Sequence, residues 1–135
     1  MRFAVDRLDH LVITVKDVET SASWYQRVLG MERAAFGEKN RTAMRFGGQK
    51  LNLRPVEASQ EEWFTGLGGA VGSQDLCFVV TVSAGDIVEH LRECGVEVVL
   101  GPVPKAGALG PITSVYCRDP DGNLIEIATY GEGPF

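Results

Sequence analysis

Asp119-Pro120-Asp121-Gly122-Asn123-Leu124-Ile125-Glu126 joins a tight turn to an extended run that carries one carboxylate among apolar residues. Pro120 and Gly122 are turn formers, and Gly122 accepts the positive φ that a side chain resists. The chain must leave the turn as Leu124-Ile125-Glu126-Ile127-Ala128, with successive side chains on opposite faces. Ile125 and Ile127 share one face; Leu124, Glu126 and Ala128 share the other. A carboxylate flanked by Leu and Ala is costly to dehydrate unless it meets a cation or hydrogen-bond donors. Glu126 therefore needs a partner.

A partner of suitable chemistry lies near the other end of the chain. His10 opens the run His10-Leu11-Val12-Ile13-Thr14-Val15, in which Leu11, Ile13 and Val15 form one face and His10, Val12 and Thr14 the other. Imidazole and carboxylate on such strands are the ingredients of a site for a hard-to-borderline metal ion. The competing reading bonds His10 to backbone at a strand edge and leaves Glu126 half solvated. Residue types alone leave both readings open.

The bulk properties narrow the function class. A chain of 135 residues is one domain with enough length to bury a core, and 44% hydrophobic with 23% charged residues is ordinary globular composition. A net charge of −5 argues against a nucleic-acid partner and offers no basic patch to an anionic membrane. Cys77, Cys94 and Cys117 are odd in number and lack CxxC spacing, which fits buried thiols in a reducing compartment better than a disulfide framework. Charges in Met1-Arg2-Phe3-Ala4-Val5-Asp6-Arg7 stand where a signal peptide needs an apolar run, and no segment has membrane-spanning length. The expected location is cytoplasmic.

Two segments repeat one order of events. The first reads as a strand (Leu8 to Val15), a helix (Val18 to Leu29) and strands around Thr42 to Phe46 and Gln49 to Arg54 joined by Gly47-Gly48. Val18, Ala22, Tyr25 and Leu29 form the helix's apolar stripe, with Asp17 as N-cap and Gly30 as terminator. The second begins with a strand from Asp75 to Val82, and Ser83 with Asp86 looks like the N-cap of a helix bearing Ile87, Val88, Leu91 and Cys94. Gly95 closes it; a strand near Val96 to Leu100, a loop, and a hairpin of Ile112 to Cys117 with Leu124 to Thr129 follow. Each unit thus reads βαββ, with the first module over 6–56, a Gly-rich linker over 57–73 and the second module over 74–131.

The register of the repeat selects residues. An ungapped overlay of Gly95 on Gly30 sets Asp75 opposite His10; a slip of two puts Cys77 there on the same face. In the first module Leu51 and Leu53 face the helix, so Lys50, Asn52 and Arg54 lie on the open face, with Asn52 the counterpart of Glu126. His10, Asn52, Asp75 and Glu126 would converge if the two sheets curl toward one another. One nitrogen and up to three oxygens suit a divalent cation such as Mn²⁺, Fe²⁺, Zn²⁺ or Ni²⁺.

These features resemble the vicinal oxygen chelate superfamily, the glyoxalase I/bleomycin resistance/extradiol dioxygenase group. The matching stretches are Leu8-Asp9-His10-Leu11-Val12-Ile13-Thr14-Val15, Trp24-Tyr25-Gln26-Arg27-Val28-Leu29-Gly30-Met31 and Arg118-Asp119-Pro120-Asp121-Gly122-Asn123-Leu124-Ile125-Glu126. The chain looks closest to the glyoxalase-domain-containing-5-like branch, through Gly47 to Leu53, Gly101 to Lys105 and Gly110-Pro111-Ile112. The resemblance implies an α+β fold of two βαββ modules, with curved, mostly antiparallel sheets around a shared cavity. It carries over His10 and Glu126 as metal ligands. It departs at Asn52, where glyoxalase I has Glu or Gln, and at Asp75 or Cys77, where it has His; both argue against lactoylglutathione lyase activity.

The resemblance implies a divalent metal that chelates two neighbouring oxygens of a small-molecule substrate, for isomerase, lyase or dioxygenase chemistry. Glu126 is the expected catalytic base as well as a ligand, with His10 and Asp75 as further ligands. His10 must be neutral to bind metal, so activity should fall in acid. Asn52, Arg54, Cys77 and Lys105 are substrate-binding candidates; Arg54 faces the cavity side, and Lys105 sits in a Gly- and Pro-rich loop where a solvated lysine is the simpler reading. His90, between Glu89 and Glu93, is read as solvent-facing, and Trp63 and Phe64 as covering a pocket or a second subunit. The alternative is a metal-free drug-binding protein of the bleomycin-resistance type. Thiol transfer to an epoxide antibiotic would want a second histidine ligand that this sequence does not offer. A homodimer is expected from the small size of the units.

Overall fold

The computed structural model of the chain describes residues 2–131. The chain separates between Gly69 and Ala70 into two compact units. Within unit 1, β1 (His10–Val15), α1 (Val18–Leu29), β2 (Glu32–Phe36), β3 (Arg41–Phe46) and β4 (Gln49–Pro55) build a sheet of order β1-β4-β3-β2. Within unit 2, β5 (Asp75–Val79), α2 (Ala84–Glu93), β6 (Leu100–Gly107), β7 (Gly110–Arg118) and β8 (Leu124–Tyr130) give the same order, β5-β8-β7-β6. In each sheet the first strand pairs parallel with the last and the other pairings are antiparallel. This is the expected α+β class built from a repeat.

Each unit is βαβββ, one strand more than the βαββ reading. The unread strand of the first unit is β2, and in the second unit the strand expected near Val96 to Leu100 instead runs later, as β6; both lie at sheet edges. Glu32-Arg33-Ala34-Ala35-Phe36 has little β preference of its own, and charge on an edge strand is a common guard against stray pairing. Pro102 and Pro104 speak against a central strand, yet an edge strand tolerates residues without an N–H. Lys105 consequently stands on β6, exposed, and not in a loop.

The helices follow their local signals. The Asp17 carboxylate accepts the Thr20 N–H at 3.1 Å, and Gly30, at φ 65°, donates its N–H to the Gln26 carbonyl at 3.1 Å. In α2, Ser83 Oγ accepts the Asp86 N–H at 3.1 Å. The helix ends where Gly95 donates to Arg92 (3.0 Å) and Val96 to Leu91 (2.8 Å), the paired closing bonds of a glycine C-terminus. Ala22 and Tyr25 of the expected stripe are buried, but Ser21 and Val28 join them while Val18 and Leu29 are only half-buried. In unit 1 this face packs on β3 and β4, which bring Met44, Leu51 and Leu53, and Ile13 and Val15 of β1 are buried as well; in unit 2, Leu91 and Ile87 accompany Val115, Cys117, Ile125 and Ile127 in the core.

Arg33 on β2 holds the Glu19 carboxylate of α1 with two bonds, at 2.8 and 2.6 Å. The guanidinium pulls the Glu19 carboxyl below the usual glutamate range. A depressed folded pKa stabilises above the unfolded value and ceases to do so as pH falls through the folded one. The melting-temperature gap between the protein and Arg33→Ala should therefore be present at neutral pH, close in acid, and shrink with added salt. A gap that widens in acid would contradict this pairing.

Among the described residues, no helix is long and apolar enough to cross a membrane.

Candidate functional site

Alternation along each strand sends one set of side chains to the helix and the other to the open face of its sheet. In unit 1 the cross-strand partners put Glu32, Arg45, Lys50 and His10 in one row of the open face, and Ala34, Ala43, Asn52 and Val12 in the next. In unit 2, Cys77 and Tyr116 flank Glu126 directly, while Asp75 pairs with Leu124 one step away. Val12 faces Asn52 as Cys77 faces Glu126, and the openers His10 and Asp75 each stand two residues earlier. The two ladders therefore match in the ungapped register, with Asp75 in the place of His10.

His10 is exposed, and its Nδ1 lies 2.8 Å from the Asp9 carboxylate. That bond, aided by Lys50 and Arg7, holds the Asp9 carboxyl below its usual range. It engages one imidazole nitrogen and leaves Nε2 for another partner, the arrangement in which a carboxylate orients a ligating histidine. Asn52 is 4% exposed, and its buried Oδ1 has no hydrogen-bond partner. An unpaired buried acceptor costs on the order of 1–3 kcal/mol.

Glu126 is half-buried, and its Oε2 accepts the Ser114 hydroxyl at 2.6 Å. Burial first, then the Glu126 carboxylate, pushes the Tyr116 phenol up to about 12. Although Cys77 is an exposed residue, burial around its sulfur, then Glu126 and Asp75, push the thiol up to about 11. A negative neighbour disfavours a second anion, so phenol and thiol stay protonated as donors toward the carboxylate. Lys105 places its Nζ 5.9 Å from the Tyr116 ring centre.

Arg54 is 5% exposed and its guanidinium is spent on the backbone: Nε donates to Trp63 O at 3.1 Å and Nη2 to Ala58 O at 2.7 Å. It ties down the segment that brings in Trp63, whose ring meets Phe36 edge-on at 6.5 Å and lies under Arg41 at 4.1 Å. Trp63 is buried and Phe64 exposed. His90 is exposed, with Nε2 3.6 Å from Cys94 Sγ.

Each unit thus brings together part of the expected donor set, His10 with Asn52 in one and Asp75, Cys77 and Glu126 in the other. Among the described residues, no group of three His, Cys, Asp or Glu side chains gathers to hold a metal ion. Taken unit by unit, unit 1 offers an oriented imidazole and a buried carbonyl oxygen that lacks a donor, and unit 2 a carboxylate fixed by a hydroxyl, each a donor type that divalent cations accept. Ser114 and Tyr116 escaped the sequence reading, although alternation in Ile112 to Cys117 was the signal that could have found them. Their link to Glu126 depends on the β7–β8 register.

Residues 7–127 match the family model of the Glyoxalase/Bleomycin resistance protein/Dioxygenase superfamily. The chain belongs to this superfamily. Glyoxalase domain-containing protein RDO1 of Mycosarcoma maydis is 47% identical over 129 residues, 96% of this chain and 71% of that protein. Virulence protein STM3117 of Salmonella typhimurium is 43% identical over 130 residues, 96% of this chain and 88% of that protein. The crystal structure of STM3117 superposes with a TM-score of 0.89 over 96% of this chain and 100% of that one. A metallothiol transferase, FosB of Shouchella clausii, is 26% identical over 129 residues, 93% of this chain and 81% of that protein. As a glyoxalase-superfamily member, the chain carries its candidate donors on the first and last strands of each unit.

Proposed function

We propose that this superfamily member is a divalent-metal enzyme acting on a small oxygenated molecule, with isomerase, lyase or dioxygenase chemistry. His10, Asp75 and Glu126 would hold the ion, supplied by units of one chain or of two copies in a homodimer. The observation that carries the reading is the Asn52 Oδ1, buried without a donor on the face that also presents His10. A name such as metallothiol transferase for a relative is consistent with metal use in the family. A bound ion would draw two neighbouring substrate oxygens together and offset negative charge developing on them. Glu126, steadied by Ser114, would move the substrate proton. Asn52 would bind the substrate, and Cys77 and Lys105 would line its approach. The reading goes with a cytoplasmic enzyme whose metal is Mn²⁺, Fe²⁺, Zn²⁺ or Ni²⁺.

The second reading, a metal-free binder of the bleomycin-resistance type, draws support from the amide at Asn52 and the exposure of Asp75. Elemental analysis of protein purified without chelator or affinity tag separates the two. The enzyme reading expects about one equivalent of metal per site. Less than about a tenth of an equivalent, with none taken up on dialysis, would abandon it. The binder reading also expects His10→Ala to keep its ligand.

A further inference from the structure

A cavity of about 540 Å³ opens on the free face of unit 1, between β2, β3 and β4. Its floor is small, because Ala34 and Ala43 face one another there. Phe36 walls one side, and Arg45 and Lys50 line the other. Arg45 and Lys50 are directly opposite each other across β3 and β4. Two like charges in that relation destabilise a sheet unless something of opposite sign stands between them.

Nothing in the described residues fills that role closely. No carboxylate lies within ion-pairing distance of either cation. Asp9, at the rim, is bonded to His10. Glu32 faces Arg45 in register without reaching ion-pair distance, and Asp9 and Glu32 line the cavity beside the two bases. Lys50 lays its ammonium across the alanines to 3.6 Å from the Phe36 ring centre, and it acts on the Asp9 carboxylate only from beyond ion-pair distance. Both side chains reach solvent, so neither is committed to the core.

We propose that this cavity binds an oxyanion group of the substrate, a carboxylate or phosphonate, with Arg45 and Lys50 as its donors and Phe36 against the adjoining carbon skeleton. A guanidinium grips either group with two parallel bonds, and an ammonium adds a movable third. Lys50 is the cross-strand neighbour of His10 on the edge strand β1, and Arg45 stands one strand further, so an anion between the two bases lies between one and two strand spacings, about 5–10 Å, from that strand. The substrate class is therefore a small organic acid whose reacting oxygens lie a few bonds from a separate anionic group. That the anion belongs to a substrate rests on the metal-enzyme reading above; the cavity's preference for an oxyanion does not.

The test titrates metal-free protein with malonate, phosphonoacetate and the neutral malonamide, followed by calorimetry and by the fluorescence of Trp63, whose ring touches Phe36. At least one of the two acids should bind about tenfold or more tightly than malonamide, and Lys50→Gln and Arg45→Gln should each weaken it about tenfold. Melting temperatures that stay the same or rise, as relief of the like-charge pair allows, would show that both variants fold. Equal binding of acid and amide, or full affinity in both variants, overturns the proposal. Adding Mn²⁺ should tighten the preferred acid further. If it changes nothing while charge selectivity persists, the metal reading fails and the oxyanion cavity stands.

Discussion

Asp119→Ala should lower the melting temperature by about 10 °C, because the replaced carboxylate is the centre of a buried knot. Asp119 is 5% exposed. Its Oδ1 accepts the N–H of Asp121 and of Asn123, both at 2.9 Å, and its Oδ2 accepts Asn123 Nδ2 at 2.8 Å. Asn123, wholly buried, passes the constraint on: its Oδ1 accepts the Gln74 N–H at 2.9 Å, while Leu124 N–H bonds Gln74 O at 2.9 Å. Truncation leaves three donors facing an apolar methyl. Each stranded group costs on the order of 1–3 kcal/mol without strict additivity, so about 3 kcal/mol in total is a conservative sum. For a chain of this size that is on the order of 10 °C. Asn123→Ala should cost a comparable amount, and the double variant less than the sum of the two. A melting temperature within about 2 °C of the parent would show that the knot does not hold the turn. The knot matters to the site, since Gln74 leads directly into Asp75 and sets the β5–β8 register that puts Cys77 beside Glu126.

If the proposed metal site is right, Glu126→Ala should reduce divalent-metal affinity by about a hundredfold or more, and His10→Ala by a similar factor. Loss of a residue that merely orients a ligand costs about 10–100-fold, and loss of a ligand costs at least as much. Equilibrium dialysis against buffered Mn²⁺ or Zn²⁺ reads this without knowledge of the substrate. Stability should move little in His10→Ala, because the imidazole is exposed. In Glu126→Ala the metal-free protein offers a second readout. After burial, the carboxylate is the next cause of the raised Cys77 thiol, so its removal should let Cys77 ionise at lower pH and be alkylated faster at pH 9. Peptide mapping by mass spectrometry distinguishes Cys77 from the fully buried Cys117. Unchanged metal affinity in both variants would remove His10 and Glu126 from the proposed metal site.

Much of the architecture was legible from local signals. Val18–Leu29 has the bounds that Asp17 and Gly30 announce, since a cap and a left-handed terminator act within a few residues. Leu51, Leu53, Ile125 and Ile127 are buried as their alternation requires. By the same alternation His10, Asn52 and Glu126 could be placed on open faces. The edge strand β2 was not legible and the strand expected near Val96 to Leu100 was misplaced relative to β6, because a strand of alanines or prolines is stabilised by the neighbour that pairs with it. Arg54 shows the same limit: its strand position indicates the open face, but only the folded chain spends its guanidinium on Ala58 and Trp63.

The amino-acid order by itself determined the duplication, the two helices, the buried face of each long strand and the family to which the chain belongs. Periodicity, caps and turns are properties of neighbours along the chain. Tertiary structure decided which residues meet across strands: Ser114 with Glu126, Arg45 with Lys50, and Asp119 with the turn that leads to both β5 and β8. Those meetings depend on ladder register between distant segments, where a shift of one residue would send every side chain to the opposite face.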